Sequence, residues 1–149
     1  MLKTILFPTD FSEHSYQVLD VFADLRARGA DTVVLLHVVD ERSFQAMEHY
    51  AYGRAEEVEK HILDSSGAEL EEIAGRLRDQ GFTVIPKVVV GVPVREILKA
   101  EHEEDVSLIV LGSHGRSNLQ EVLLGSVAEK VVRKCTKSVL VVKRSQGKV

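Results

Sequence analysis

The chain has 149 residues, 44% of them hydrophobic, with a formal net charge of -4 and a pI near 5.9, which suits one well-buried core over residues 1–149 rather than two domains. The acidic balance argues against a general binder of nucleic acid or of an anionic membrane. A lone cysteine, Cys135, excludes an intrachain disulfide framework and a thiolate metal cage, while no apolar run nears the roughly 18 residues of a membrane span and residues 1–9 lack a signal-peptide core, so a cytoplasmic location is expected.

The first strand is expected over Lys3–Pro8, a β-rich run closed by a proline that cannot continue a central ladder. Thr9-Asp10-Phe11-Ser12 then carries turn and N-cap chemistry. Val18, Leu19, Phe22 and Leu25 follow at helical spacing until Gly29 stops the helix. Thr32 to Val39 shows no polar alternation, as expected of a parallel strand covered on both faces. His37 inside it reads as a satisfied core histidine. Residues 40–53 have no clean period and read as a loop or a short irregular helix.

Val58, Ile62, Leu70, Ile73, Ala74 and Leu77 predict a long amphipathic helix from Arg54 to Gly81, weakened at Ser65-Ser66-Gly67. Residues 82–90 return to extended character, and Pro86 within them places this strand at a sheet edge or on a bulge. Gly91-Val92-Pro93 opens a third helix with Val94, Ile97 and Leu98 inward. His102-Glu103-Glu104-Asp105 is read as a solvated helix end, because consecutive helical residues do not converge on one ion. A fourth strand covers 106–111, a fourth helix about 126–135, and a fifth strand Ser138–Lys143. Cys135 is expected as a small buried side chain. The surplus of Lys130, Arg133, Lys134, Lys137, Lys143, Arg144 and Lys148 over Glu129 reads as helix-end and strand-surface charge, ahead of a contribution to attracting a polyphosphate.

Alternation of five mainly parallel strands with four helices on both faces predicts a three-layer open α/β sheet of Rossmann-like type. Such sheets bind ligands beyond the carboxyl ends of their strands. Pro8-Thr9-Asp10, Val38-Val39-Asp40 and Gly112–Gly115 all follow strands, so they are expected on one rim. The stretch from Gly112 to Ser126 joins a buried strand to a helix N-terminus, where free N–H groups and partial positive charge favour an anion. It contains neither a Walker A sequence nor Gly-x-Gly-x-x-Gly. On these grounds alone a phosphate site and a simple turn-and-cap role both stay open.

Gly112-x-x-Gly115, nine residues and then Gly125-Ser126 resembles the nucleotide signature of the universal stress protein family, in its ATP-binding branch. The likeness extends to Ile5–Ser12, Leu35–Glu41, Gly91-Val92-Pro93 and Ser138–Val142, and implies the family's adenine nucleotide alpha hydrolase-like fold. It implies that Asp10 and the backbone of Val38 receive adenine or its ribose, with Pro8 and Thr9 counted among the nucleotide-binding positions. Gly112 and Gly115 would bring backbone against ribose and phosphates, lined by Ser113, His114, Arg116 and Ser117. Gly125, Ser126 and Val127 would hold the phosphates. The implied ligand is ATP, or AMP or ADP, with Mg or Mn recruited through the phosphates rather than by protein ligands. Relatives pair their last strand across a twofold, so a homodimer through Ser138–Lys143 is implied. Ser138 departs from the proline that the family often carries there.

The function these readings support is a nucleotide-dependent sensor or switch in stress response, with or without slow hydrolysis, read by its dimer surface or an unidentified protein partner. No residue is assigned to catalysis and no protein metal ligand is expected. One alternative is a genuine ATPase or other adenine-nucleotide enzyme enlisting His114 or Asp10. A second is a dimeric scaffold that binds no nucleotide.

Overall fold

The computed structural model describes residues 2–50, 52–114 and 124–144. Within them, strands β1 (Thr4–Pro8), β2 (Thr32–Asp40), β3 (Thr83–Gly91), β4 (Leu108–Gly112) and β5 (Ser138–Val142) form one sheet. Their order is β3-β2-β1-β4-β5, and every neighbouring pair is parallel. β3 and β5 are the edges, which gives Pro86 the edge strand that its missing N–H requires.

The strand alternation divides the core into two faces. Ile5, Phe7, Val33, Leu35, Leu108 and Val110 point to one side. They meet Val18, Phe22 and Leu25 of α1 (Glu13–Val18) and α2 (Phe22–Ala27), together with Leu70, Ile73, Ala74 and Leu77 of α4 (Ala55–Asp79). The strand residues next in sequence, Leu6, Val34, Leu36, Ile109 and Leu111, point to the other side. There they meet Ile97 and Ala100 of α5 (Pro93–Glu103), and Ala128 and Val131 of α6 (Ser126–Lys134). The three inner strands β1, β2 and β4 are buried on both faces, hence their near-continuous apolar runs, while the edge strands β3 and β5 stay half-buried or exposed.

Three details differ from the sequence expectations. The first helix is two α-helical pieces joined by a 3₁₀ turn, Leu19–Val21, and Ser12 caps it by accepting the Ser15 amide at 3.2 Å. Residues 41–50 form a fifth helical unit, α3 (Glu41–Tyr50), where a loop or irregular helix was expected. It lacks a legible period because it buries one side chain, Phe44, while Met47 and Tyr50 on it stay exposed. Its start is marked by Asp40, whose carboxylate accepts the Arg42 amide at 3.0 Å. Finally, α4 runs unbroken through Ser65-Ser66-Gly67, where buried Ser66 and Leu70 one turn later supply tertiary contacts that offset the low helix propensity of the stretch. Among the described residues, no helix is long and apolar enough to cross a membrane.

The link from α6 into β5 rests on a residue with no sequence signal. Glu101 is buried in α5, and its Oε1 accepts the Thr136 and Lys137 amides, both at 2.7 Å, and the Thr136 hydroxyl at 3.0 Å. Cys135, beside this turn, is half-buried rather than buried. Burial, with a smaller contribution from the nearby Glu101 charge, pushes its thiol up from the usual range, so it stays protonated at neutral pH. Glu101→Ala should lower unfolding free energy by about 2–4 kcal/mol in urea titration, because it strands buried donors, and Glu101→Gln by only about 1 kcal/mol because one oxygen acceptor remains.

Candidate functional site

The connections leaving β1 and β4 run to opposite faces of the sheet, so a gap opens above the carboxyl ends of these strands. A cavity of about 320 Å³ occupies it, a volume within the range of small-molecule clefts. Of the sequence candidates, Pro8, Thr9, Asp10, Val38, Gly112, His114, Gly125, Ser126 and Val127 line it. Ser113 does not. It is almost fully buried and sits behind the wall. Gly115, Arg116 and Ser117 lie outside the described residues. Six further lining residues had not been assigned to the site from sequence: Ser15, Leu36, Pro93, Ile97, Leu111 and Ala128. Leu36 and Leu111 belong to the same strand ends as the candidates, and Pro93 opens the helix after Gly91-Val92, so position after a strand was the available signal.

The wall after β1 is held in a special shape. Phe11 adopts φ 63°, left-handed backbone that a bulky residue takes only when its surroundings impose it. Its amide donates to the Thr9 hydroxyl at 3.1 Å. Its ring stacks on His37 with centroids 4.1 Å apart. His37, buried as expected, donates Nδ1–H to the Thr9 carbonyl at 2.8 Å, and the Thr9 and Ser15 hydroxyls lie 2.5 Å apart. Asp10 Oδ1 accepts the Ser12 amide at 3.0 Å. The result is a turn that delivers one carboxylate to the cavity edge.

β2 outruns β1. Pro8 pairs with Leu36, and the residues of β2 beyond Leu36 pair only with β3. The Leu36 carbonyl accepts the Thr9 amide at 2.8 Å, so it faces β1. In a parallel ladder alternate residues face alternate neighbours. The N–H and C=O of Val38 therefore face the space beyond Pro8, where no strand continues. These two groups suit the edge of a flat heterocycle, whatever the Val38 side chain is. At the end of β2, a side-chain hydrogen bond from Arg42, followed by the Arg42 amide, holds the Asp40 carboxyl below the ordinary carboxylate range.

The opposite wall is the start of α6. Gly125 is its N-cap, with φ -66° and ψ 161° and no side-chain bond to the first turn. Ser, Thr, Asp or Asn at such a position would satisfy one of the free amides. Gly125 leaves the amides of the first turn to whatever lies in the cavity. The Gly125 amide itself donates to the Ser113 carbonyl at 2.6 Å, tying the end of β4 to the helix entry. One wall thus offers a carboxylate and ladder groups, the other an uncapped helix N-terminus. A neutral, hydroxyl-bearing ring system fits the first, and an anion the second. Among the described residues, no three His, Cys, Asp or Glu side chains converge as a metal site.

A model described as "Universal stress protein family" matches residues 1–143. Universal stress protein MJ0577 of Methanocaldococcus jannaschii is 40% identical, over 99% of this chain and 98% of that one. The solved structure of MJ0577 superposes with a TM-score of 0.87 at 41% identity, covering 99% of each chain. Universal stress protein YxiE of Bacillus subtilis is 30% identical over 96% of this chain and 100% of its own. A universal stress protein solved in complex with cAMP superposes with a TM-score of 0.65 at 26% identity, covering 95% of this chain and 97% of that one.

Gly112 presents its backbone to the cavity, but its missing side chain is explained by what lies behind. A Cβ there would come within 2.9 Å of His14 Cδ2 and 3.1 Å of His14 Nε2. Gly112→Ala should therefore cost about 1–3 kcal/mol by overpacking. In the His14→Ala background that cost should shrink, giving a coupling of at least about 1 kcal/mol in a urea-unfolding double-mutant cycle. Additive effects would mean that the glycine answers to something other than His14.

Proposed function

The chain belongs to the universal stress protein family, and we propose that it is an adenine-nucleotide-binding switch whose ligand lies across the gap above β1. The observation that carries this reading is the N-terminus of α6, capped by Gly125 without a side chain and open to the cavity opposite Asp10. In this reading adenine meets the ladder groups of Val38 and the apolar wall of Leu36, Ile97 and Leu111. The ribose hydroxyls donate to Asp10, and the phosphates lie against the Gly125 backbone on the amides of Ser126 and Val127, with the Ser126 hydroxyl beside them. The placement is electrostatically ordered, since a phosphate at Asp10 would be repelled and a ribose at α6 would waste the positive helix end.

ATP is the nucleotide we favour, from the likeness to the ATP-binding branch, and AMP or ADP would fill the same cradle. Mg or Mn would enter bound to the phosphates. The cAMP complex of a 26% identical relative supports an adenine nucleotide in this fold. We further propose a homodimer. β5 is an open edge with Leu140 36% exposed, and pairing it with a second copy would satisfy an otherwise free row of backbone groups. Nucleotide occupancy would then be read by the dimer surface or a partner protein in the cytoplasm as part of a stress response.

The test is calorimetric titration of the purified protein with ATP and magnesium, alongside Gly125→Val. Valine accepts the φ and ψ found at Gly125, so the fold is retained while its branched side chain occupies the phosphate position. A hundredfold or greater loss of affinity, about 2.7 kcal/mol, is expected with an unchanged circular dichroism spectrum. Unchanged affinity in this variant would place the phosphates elsewhere.

A further inference from the structure

His14 was not a sequence candidate, being one residue of a short helix among polar neighbours. It is nonetheless only 2% exposed, and it joins three segments that end at the cavity. It lies on α1, directly after the turn that carries Asp10. Its ring packs under Gly112 at the end of β4. Its Nε2 lies 3.0 Å from the Val142 carbonyl, at the end of β5, and 3.1 Å from the Ser113 amide nitrogen.

One hydrogen cannot serve both of those contacts. The Ser113 amide already donates to the Val142 carbonyl at 2.9 Å. That carbonyl only accepts, and a bare Nε2 would set one lone pair against another at 3.0 Å. The assignment that avoids this clash places the ring hydrogen on Nε2, donating to Val142 alongside the Ser113 amide, whose hydrogen is then directed to the carbonyl rather than to Nε2. On the other side of the ring, Nδ1 lies 3.3 Å from Gln17 Oε1, so with Nε2 protonated the Gln17 amide turns to offer its NH2 to Nδ1. The Ser113 hydroxyl, 3.4 Å from Nε2, receives the Arg144 amide at 3.2 Å and stands 2.8 Å from His114 Nδ1. His14, Ser113 and His114 form a buried-to-surface chain whose last member faces the cavity.

We propose that His14 is a positioning residue of the nucleotide site, seating Gly112, Ser113 and His114 against the ligand by donating Nε2–H to the Val142 carbonyl and filling the space under Gly112. This rests on the reading of the cavity as an adenine-nucleotide site. It also gives β5 a direct connection to that site, because the carbonyl His14 holds belongs to the last residue of the edge strand. Nothing in His14 touches the ligand. Its influence is carried by the strand end in front of it.

The test compares wild type, His14→Leu and His14→Gln, each titrated with Mg-ATP and with adenosine at a temperature where circular dichroism shows all three folded. Leucine keeps much of the volume and removes the donor, and glutamine returns an N–H near the position of Nε2. The expected result is a tenfold or greater loss of ATP affinity in His14→Leu, a loss at least threefold smaller for adenosine, and recovery to within about threefold of wild type in His14→Gln. Nitrogen-15 spectra of the wild-type histidines should show His14 protonated at Nε2.

Three results would overturn the inference: equal ATP affinity in wild type and His14→Leu, equal losses for ATP and adenosine, or a histidine with bare Nε2. Should His14→Leu fail to fold, His14→Gln and the nitrogen-15 spectrum decide alone, through near-wild-type affinity with a protonated Nε2 or the lack of either. Wild-type protein that binds neither ligand would instead overturn the reading of the cavity, and the role of His14 with it.

Discussion

β1 lies between β2 and β4, and the chain leaves these strands toward opposite faces of the sheet. α1 and α2 return to β2 on one side, while α5 and α6 serve β4 and β5 on the other. No helix can cover the end of β1, so its carboxyl end opens into a gap. The turn after β1, the overhanging end of β2 and the N-terminus of α6 become the walls of that gap without any device of their own. Because β1 is five residues long and β2 nine, the overhang exposes the Val38 ladder groups there.

Two glycines in the signature serve different physical ends. At Gly125 the backbone is an extended conformation open to any residue, and the gain is a helix start whose amides no side chain occupies. At Gly112 the missing Cβ makes room for His14 behind the strand, so the backbone can form the cavity wall while a buried ring supports it. A spacing pattern alone cannot separate these cases, since both read as glycine beside a ligand. The difference lies in what the absent side chain would have done, which is to occupy the helix-start amides at one glycine and to collide with His14 at the other.

Much of the architecture was legible because burial on both faces leaves a mark that needs no partner to be read. Thr32 to Val39 is apolar throughout, and Val18, Leu19, Phe22 and Leu25 recur on one helical stripe. Elements that bury little were not legible. α3 commits one side chain to the core, and its N-cap Asp40 could equally have been a turn residue. Within the site, Asp10 and Val38 were legible through family likeness: an aspartate before Phe11-Ser12 also makes an ordinary helix entry, and a valine acting through its backbone has no sequence signal. Ser113 was expected on the ligand side, yet a serine within a glycine-rich loop can face either way, and here its hydroxyl turns inward to His14 and His114. His14 and Glu101 left no trace, because their partners are backbone groups far along the chain.

The account as a whole depends on an adenine nucleotide occupying the gap above β1. The most direct measurement is to purify the protein without added nucleotide, denature it, and chromatograph the released small molecules, with a thermal melt in ATP and magnesium alongside. The account predicts released ATP, ADP or AMP in amounts approaching one per chain, or for protein emptied during purification a melting point raised by ATP as binding adds about 2.7 kcal/mol at a hundredfold excess over the dissociation constant. No released nucleotide together with an unmoved melting point would contradict it and leave a scaffold whose glycines serve packing alone.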